Sequence, residues 1–172
     1  MALIIEDGTG VDDADSFVTI AQARTYAASY GYTLPTADTD LEVALRQGAQ
    51  YLGLFDGSLS GSKTDALQSL VYPRVDSYII SSGVKTSIAD DYMPTQIKHA
   101  QIIAAATYGA GNDVRANDDG NSIASEAVAG AVSVSYFDNG KTGASIEITA
   151  AIDAMKPLFD SYNMFSIKHK RV

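Results

Sequence analysis

The longest helical pattern of apolar positions lies between Tyr92 and Gly109. Pro94 suits the first position of a helix, where its missing N–H costs nothing, and Gly109 is a residue type that ends helices. Apolar residues recur at spacings of three and four, and further ones lie beside that stripe: Ile97, Ala100, Ile102, Ile103, Ala104, Ala105, Ala106 and Tyr108. The pattern predicts one complete helix packed on most sides. Its alanines would let a neighbouring helix, from the same or a second copy, approach closely.

Two other segments begin with a capping-box signature, in which a Thr hydroxyl and a Gln or Glu three residues later satisfy free backbone donors. Thr19 and Gln22 predict a first helix from Ile20 to Tyr30, ended by Gly31. Thr39 and Glu42 predict a second helix over residues 40–52. Apolar and small residues follow there at helical spacing: Leu41, Ala44, Leu45, Gly48, Ala49 and Leu52.

The segments between and after these helices carry weaker patterns. A short helix is predicted over 65–70, and Pro73 biases Tyr72 to extended geometry. The pattern of residues 76–91 suggests an excursion, that is, a segment outside the helical core, with some strand. Residues 131–137 alternate between apolar and serine side chains, which predicts a half-buried strand, and a tight turn at 138–140 follows.

The last segment admits two interpretations. A return strand starting at Ser145 is one, but Ile148, Ile152, Met155 and Phe159 better fit a helical face. We therefore expect a last helix ending near Tyr162, with Pro157 kinking it or shifting its end.

Together these elements predict a mainly α fold: a small bundle of about four helices with a short strand or hairpin excursion and extended terminal arms. We expect a single domain over 1–172. It consists of an N-terminal arm (1–18), a helical core (19–162) and a basic C-terminal tail (163–172).

Composition narrows the classes of function. With 172 residues and 46% hydrophobic residues, the chain is long enough for one buried core. Its 21 Asp and Glu exceed its 12 Lys and Arg. The resulting net charge of −9 argues against a protein whose main function is to bind phosphate groups. No cysteine is present, which excludes disulfides, thiolate nucleophiles and cysteine zinc sites. The chain shows neither a signal peptide nor a membrane-length apolar segment, so we expect a soluble protein made in the cytoplasm.

The candidate chemistry is sparse, and we predict neither an enzyme nor a cofactor or metal site. Histidine bases are limited to His99 and His169, without a nucleophile motif. Ten tyrosines favour core and interfaces over base stacking, because stacking platforms accompany basic grooves. The glycine-rich residues 57–63 lack the GK[ST] of a phosphate-binding loop.

Two acidic segments resemble cation sites only in part. An EF-hand spacing falls on Asn117, Asp119, Gly120 and Glu126, but Arg115 occupies the first ligand position, where it would repel calcium. Residues 12–15 hold three aspartates, a type of run that is usually solvated.

The C-terminal tail opposes the charge of the whole chain. Its basic residues are consecutive: Lys168, His169, Lys170 and Arg171. They form either a solvated chain end or a docking peptide that becomes ordered on an acidic partner surface.

Several segments, in the same order, resemble tailed-phage head–tail adaptor (connector) proteins, a family often labelled as DnaT-like single-stranded-DNA-binding proteins. The matching segments are 14–23 followed by Tyr26 and Gly31, 44–52, the Leu-Val-Tyr-Pro-Arg element at 70–74, 93–101, and 126–136. Residues 77–91 and 112–121 have no counterpart.

The resemblance implies a virion structural protein of the phage neck. It implies a dodecameric ring beneath the portal that joins the capsid to the tail and leaves a channel for DNA, with the portal and a tail or nozzle protein as partners and no membrane. The basic tail, residues 168–171, would then dock on the portal. The alternatives are a single-stranded-DNA-binding replication accessory protein and another tail or neck structural protein.

Overall fold

The computed structural model describes residues 2–111, the strands 125–128 and 132–135, and residues 148–160. Four α-helices lie in these residues: α1 (Ile20–Tyr30), α2 (Asp38–Gly53), α3 (Thr95–Gly109) and α4 (Thr149–Met155). Six short strands form three antiparallel pairs: β1 (Ser62–Lys63) with β2 (Arg74–Val75), β3 (Tyr78–Ser81) with β4 (Val84–Ser87), and β5 (Ser125–Val128) with β6 (Val132–Ser135).

The chain forms two compact units, one of residues 1–112 and 148–172 and the other of residues 113–147. The hairpin β5–β6 is the described part of the second unit. The expected division into arm, core and tail stays a prediction.

Helix α3 is the centre of the larger unit, as its pattern predicted. It packs against α2 and α4, and its buried residues cover most of its circumference: Ile97, Ala100, Gln101, Ile102, Ile103, Ala104 and Ala105. Pro94 is the N-cap residue rather than the first helical one. On α2, a Cβ added to Gly48 would lie 2.7 Å from the Gln101 carbonyl oxygen. The two helices therefore meet backbone to backbone, as the small residues indicated.

The buried side chain of Gln101 joins the N-terminal arm to α2. Its Oε1 accepts from the Phe17 N–H at 2.9 Å, and its Nε2 donates to the Ser16 hydroxyl and the Leu45 carbonyl, each at 2.9 Å. A buried amide with these partners is satisfied and fixes the position of the arm.

The predicted boundaries of α1 are confirmed. Gln22 N donates to the Thr19 hydroxyl at 3.2 Å, Thr19 N donates to Gln22 Oε1 at 2.9 Å, and Gly31 ends the helix in the left-handed conformation. The predicted start of α2 at its own capping box is wrong, since Thr39 lies inside the helix and Ala37 is the N-cap. Asp38 and Asp40 lie in the first turn, where negative charge is favourable.

The short helix predicted over 65–70 is wrong. Leu67 N donates to the Asp65 carboxylate at 2.8 Å, and Asp65 N donates to Gln68 Oε1 at 3.0 Å. The Gln68 amide donates in turn to the carbonyls of Leu70 and Pro73. These side-chain bonds hold the segment in turns instead of a helical ladder.

Residues 78–87 form a hairpin that the sequence indicated only as some strand. Ser82 and Gly83 both have positive φ, 51° and 79°, as a two-residue hairpin turn of type I′ requires. All four residues of β4 are exposed, so no buried face imposes a clear alternation on the sequence.

The last helix is shorter than predicted, because α4 ends at Met155 and a 3-10 turn containing Pro157 follows. Phe159 is extended and bridges Leu59, and Ser60 N donates to the Leu158 carbonyl at 2.9 Å. Ile148, Met155 and Phe159 are nevertheless buried, as the apolar spacing predicted.

The strand predicted over 131–137 is confirmed as β6, and its partner is β5. The turn predicted at 138–140 lies outside the described residues. The observed architecture is helical with strand hairpins, and it contains more strand pairs than the one excursion expected of a mainly α bundle.

Candidate functional site

Four aromatic rings meet where α1 lies against α3, and we call Tyr26, Tyr30, Tyr32 and His99 the aromatic surface. Tyr26 and Tyr30 are four residues apart on α1 and therefore share a face, with ring centroids 4.4 Å apart. Tyr32 follows the helix-ending Gly31, and its ring lies 6.0 Å from that of Tyr26. His99 of α3 lies 4.2 Å from Tyr26 on centroids.

An open groove runs beside these rings along α1. Its volume is about 430 Å³. Its lining is uncharged: Ala21, Gln22, Thr25, Tyr26, Ser29 and Tyr30. Tyr30 is 65% exposed, so its ring is accessible from solvent. An exposed aromatic groove of this kind is typical of a binding surface.

Two side chains of the aromatic surface, Tyr26 and His99, have shifted pKa values. Burial raises the pKa of Tyr26, and the neighbouring Tyr32 and Tyr30 raise it further. Burial lowers the pKa of His99, so its imidazole is uncharged at neutral pH.

The helices that carry this surface differ in charge from the rest of the protein. Neither α1 nor α3 contains Asp or Glu, and they contribute the cations Arg24 and Lys98. Arg24 Nη2 lies 2.7 Å from the Asp38 carboxylate. Lys98, by contrast, has no ion-pair partner among the described residues.

Most other cations in the described part of the chain are neutralised by the protein's own carboxylates. The ion pairs are Arg46 with Asp15 and Glu42, Lys63 and Arg74 with Asp56, and Lys156 with Asp153. The described residues therefore offer no extended basic groove for a phosphate backbone.

A second surface is acidic. Asp12, Asp13 and Asp65 line a pocket of about 370 Å³ together with Gly10, Leu67, Gln68 and Ser69, and we call this the acidic pocket. Leu67 at its edge is 91% exposed. The loop of Gly10 is shaped by the buried Glu6 carboxylate, which accepts from the backbone N–H groups of Gly8, Gly10 and Val11 at 2.8 to 3.0 Å.

The aspartate run of residues 12–15 does not converge on one point. Asp15 accepts from Arg46 Nε at 2.6 Å and from Ile4 N at 2.8 Å. Within the described residues, no group of three or more His, Asp or Glu side chains is arranged to hold a metal ion.

Several predicted site residues lie outside the described part of the chain. They are Lys168, His169, Lys170 and Arg171 of the tail, and Arg115, Asn117, Asp119 and Gly120 of the EF-hand-like segment. Glu126 of that segment lies in β5. The glycine-rich residues 57–63 run through a 3-10 turn into β1 instead of opening a helix, so they cannot form a phosphate-binding loop. None of the described helices has the length and apolarity needed to cross a membrane.

A comparison with known protein families identifies the family of the chain. All of it, residues 1–172, matches the model of a family described as "Putative DnaT-like ssDNA binding protein". The chain belongs to this DnaT-like family. No curated protein and no solved structure shows significant similarity to it.

The Tyr-Pro-Arg element of this DnaT-like chain is structural. Arg74 is 4% exposed, and its guanidinium binds groups of the same chain. Its nitrogens donate to the carbonyls of Ser60 and Gly61 at 2.8 Å and to the Asp56 carboxylate at 2.5 Å. It also donates to Val71 and the Asp56 carbonyl. Arg74 is thus unavailable to a nucleic-acid phosphate.

Sequence reasoning missed the aromatic surface as a site. The i, i+4 spacing of Tyr26 and Tyr30 was a local signal for ring stacking. The approach of His99 depends on how α1 packs against α3, which no local pattern encodes. The acidic pocket likewise joins residues 10–13 to 65–69, two segments far apart in sequence.

Proposed function

We propose that this DnaT-like protein is a head–tail adaptor of a tailed phage. In this role it is a virion structural protein and not an enzyme. Copies of the chain form a dodecameric ring beneath the portal and above a tail or nozzle protein, and DNA passes through the ring without specific binding. No cofactor takes part.

The observation that carries the proposal is electrostatic. The net charge is −9, and the described cations are mostly engaged by internal carboxylates and carbonyl groups. Affinity for DNA comes mainly from neutralising phosphates, so a protein of this charge would repel the duplex and let it slide. Several segments resemble those of head–tail adaptors and follow one another in the same order along the chain, which supports the same role.

The basic tail is the proposed portal anchor. Deleting residues 168–172 removes Lys168, Lys170 and Arg171 from an otherwise acidic protein. We expect the truncated chain to lose co-purification with the portal protein of the same genome, while its circular dichroism spectrum is unchanged. Undiminished portal binding by the truncated chain would overturn the anchor.

A second candidate function is single-stranded-DNA binding in replication. The exposed ring of Tyr30 favours it, because bases stack on aromatic side chains. This function requires that the protein bind oligonucleotides with an affinity that falls steeply as salt rises. Weak binding without a salt slope, measured by fluorescence anisotropy, would favour the adaptor.

A further inference from the structure

We propose that the hairpin β3–β4 and residues 58–63, which we call the hairpin surface, form the side of this protein that faces an acidic surface of the portal. The inference rests on the proposed adaptor function and its basic anchor, and it adds which side of the fold the anchor serves. Three features support it: the fixed position of residue 160, the short reach of the basic tail, and the charge of the hairpin surface.

Asp160, from which the chain continues into the basic tail, is held on the hairpin surface through its backbone. Asp160 N donates to the Ser58 carbonyl at 2.8 Å. The preceding Phe159 bridges Leu59, and each of these two side chains is 4% exposed. Because separating buried apolar side chains is unfavourable, the tail leaves the fold from a fixed point.

The hairpin holds the same residue through side chains. The Tyr78 hydroxyl donates to Asp160 Oδ1 at 2.8 Å and accepts from Lys85 Nζ at 2.9 Å. The Lys85 ammonium also lies 4.3 Å from the centre of the Tyr78 ring. The Ser60 hydroxyl joins the two parts of the surface, since it donates to the Tyr78 carbonyl at 2.9 Å and accepts from Tyr78 N at 3.1 Å. Residue 160 therefore lies at the base of the hairpin, where β3 begins.

The length of the tail limits how far its cations can act from this point. The first and last of them are Lys168 and Arg171. A fully extended chain spans at most about 3.6 Å per residue, so these two residues lie within about 29 and 40 Å of residue 160. A compact unit of about 120 residues has a radius of gyration of about 14 Å, and a path over its surface to the opposite side is roughly 55 Å long. A portal surface bound by the tail must therefore lie on the same side as residue 160.

The charge of the hairpin surface suits an acidic partner. Neither residues 58–63 nor residues 78–87 contain Asp or Glu, and they contribute Lys63 and Lys85. The neighbouring Asp160 carboxylate is hydrogen-bonded within the fold. An acidic portal surface would therefore meet little repulsion here. Helices α1 and α3 also lack carboxylates, so the position of residue 160, and not charge alone, selects the hairpin surface.

Photo-crosslinking from a single cysteine tests this orientation, because the natural chain contains no cysteine. All of β4 is exposed, and Val84 is 64% exposed. The full-length Val84→Cys variant, labelled with a short sulfhydryl-reactive photo-crosslinker, is bound to the portal protein and illuminated. We expect a covalent adduct with the portal protein.

Val43→Cys is the matched control, a valine of α2 that is 53% exposed. The end of α2 lies near the tail, since the rings of Phe55 and Phe159 are 6.1 Å apart on centroids. Val43 lies about 15 Å along the helix axis from that end at Gly53. We expect no adduct from this position, and circular dichroism should show that both variants fold as the natural protein does.

Portal binding by the same samples separates the failure of this orientation from the failure of the adaptor function. Binding that requires residues 168–172, with no adduct from position 84 or with equal adducts from both positions, would overturn the hairpin surface and leave the adaptor function standing. Binding that persists without residues 168–172 would overturn the anchor and this orientation with it. Absence of portal binding by the natural chain would contradict both proposals.

An added carboxylate gives an independent measurement. We expect Val84→Glu to lower the affinity for the portal protein by about tenfold, because it repels an acidic partner surface. The loss should shrink at high salt, where such repulsion is screened. Val43→Glu adds the same charge on α2 and should change the affinity by less than about twofold. Equal losses from the two variants would show an effect of net charge alone and would overturn the inference.

Discussion

At the scale of single residues, the contact between α2 and α3 depends on a position without a side chain. A methyl group on Gly48 would lie 2.7 Å from the Gln101 carbonyl oxygen and 3.2 Å from the Ala105 nitrogen. Both atoms belong to the backbone of α3, so relief would require the two helices to move apart. The adjacent Gln101 side chain, which binds Phe17, Ser16 and Leu45, would move with them.

Gly48→Ala should therefore destabilise the protein by about 1–3 kcal/mol, the usual cost of overpacking a core. The matched control is Gly53→Ala in the same helix, where a Cβ would meet no atom within 4 Å. That variant should be neutral or gain up to about 1 kcal/mol from helix propensity. Urea unfolding of the three proteins measures both changes, and equal stability of the two variants would contradict the close helix contact.

The burial of Tyr72 leads us to expect that the folded protein loses stability at high pH. Its ring is fully buried, and burial raises its pKa to about 12, although the charge of Arg74 acts in the opposite direction. The folded state then keeps the phenol proton that the unfolded state loses near pH 10. Stability due to Tyr72 is complete below pH 10 and falls as pH rises to 12, by about 2–3 kcal/mol.

The Tyr72→Phe variant isolates this effect. The Tyr72 hydroxyl has no hydrogen-bond partner within the described residues, so its removal should cost little at pH 7. Between pH 10 and pH 12, the variant should lose less stability than the natural protein in parallel urea titrations. Identical pH profiles would contradict the burial of the neutral phenol.

At the scale of elements, Arg74 holds the irregular segment between α2 and β1. Its donors bind the backbone carbonyls of residues 56, 60, 61 and 71. Lysine has one donor group in place of the planar fork and cannot reach all of these acceptors.

Arg74→Lys should therefore destabilise the protein by about 2–4 kcal/mol and speed amide hydrogen exchange in residues 56–61. The matched control is Arg24→Lys, a more exposed ion pair with Asp38, which should change stability by less than about 1 kcal/mol. Unchanged exchange in residues 56–61 would show that Arg74 does not organise this segment.

Elements with local signals were predictable from sequence, and elements fixed by distant contacts were not. The capping box and Gly31 fix both ends of α1 without help from the rest of the chain. Residues 65–70 carry a helical pattern, but Asp65 and Gln68 bind the backbone and hold turns instead. In the last segment the helix was predicted but its end was placed too late, because a 3-10 turn follows Met155 and Phe159 pairs with Leu59 across the fold.

The same difference between local signals and distant contacts applies to the candidate site. Sequence pattern identified the acidic run, the basic tail and the abundance of tyrosine. It gave no sign that His99 of α3 would join two tyrosines of α1, or that Leu67 would project beside Asp12 and Asp13. Both surfaces arise from the packing of segments that are far apart in the sequence.

At the scale of the whole molecule, charge is distributed in a way that suits an assembly better than a DNA clamp. Carboxylates exceed cations by nine, and the helices of the aromatic surface are free of carboxylates. A ring of such subunits would repel passing DNA.

We propose that the chain is a stoichiometric component of a phage neck. Quantitative mass spectrometry of purified phage particles measures the copies of the chain relative to the portal subunit. We predict a ratio near one, as a ring with the same copy number as the portal requires. Absence of the chain from purified particles would contradict the account and favour the role in single-stranded-DNA binding.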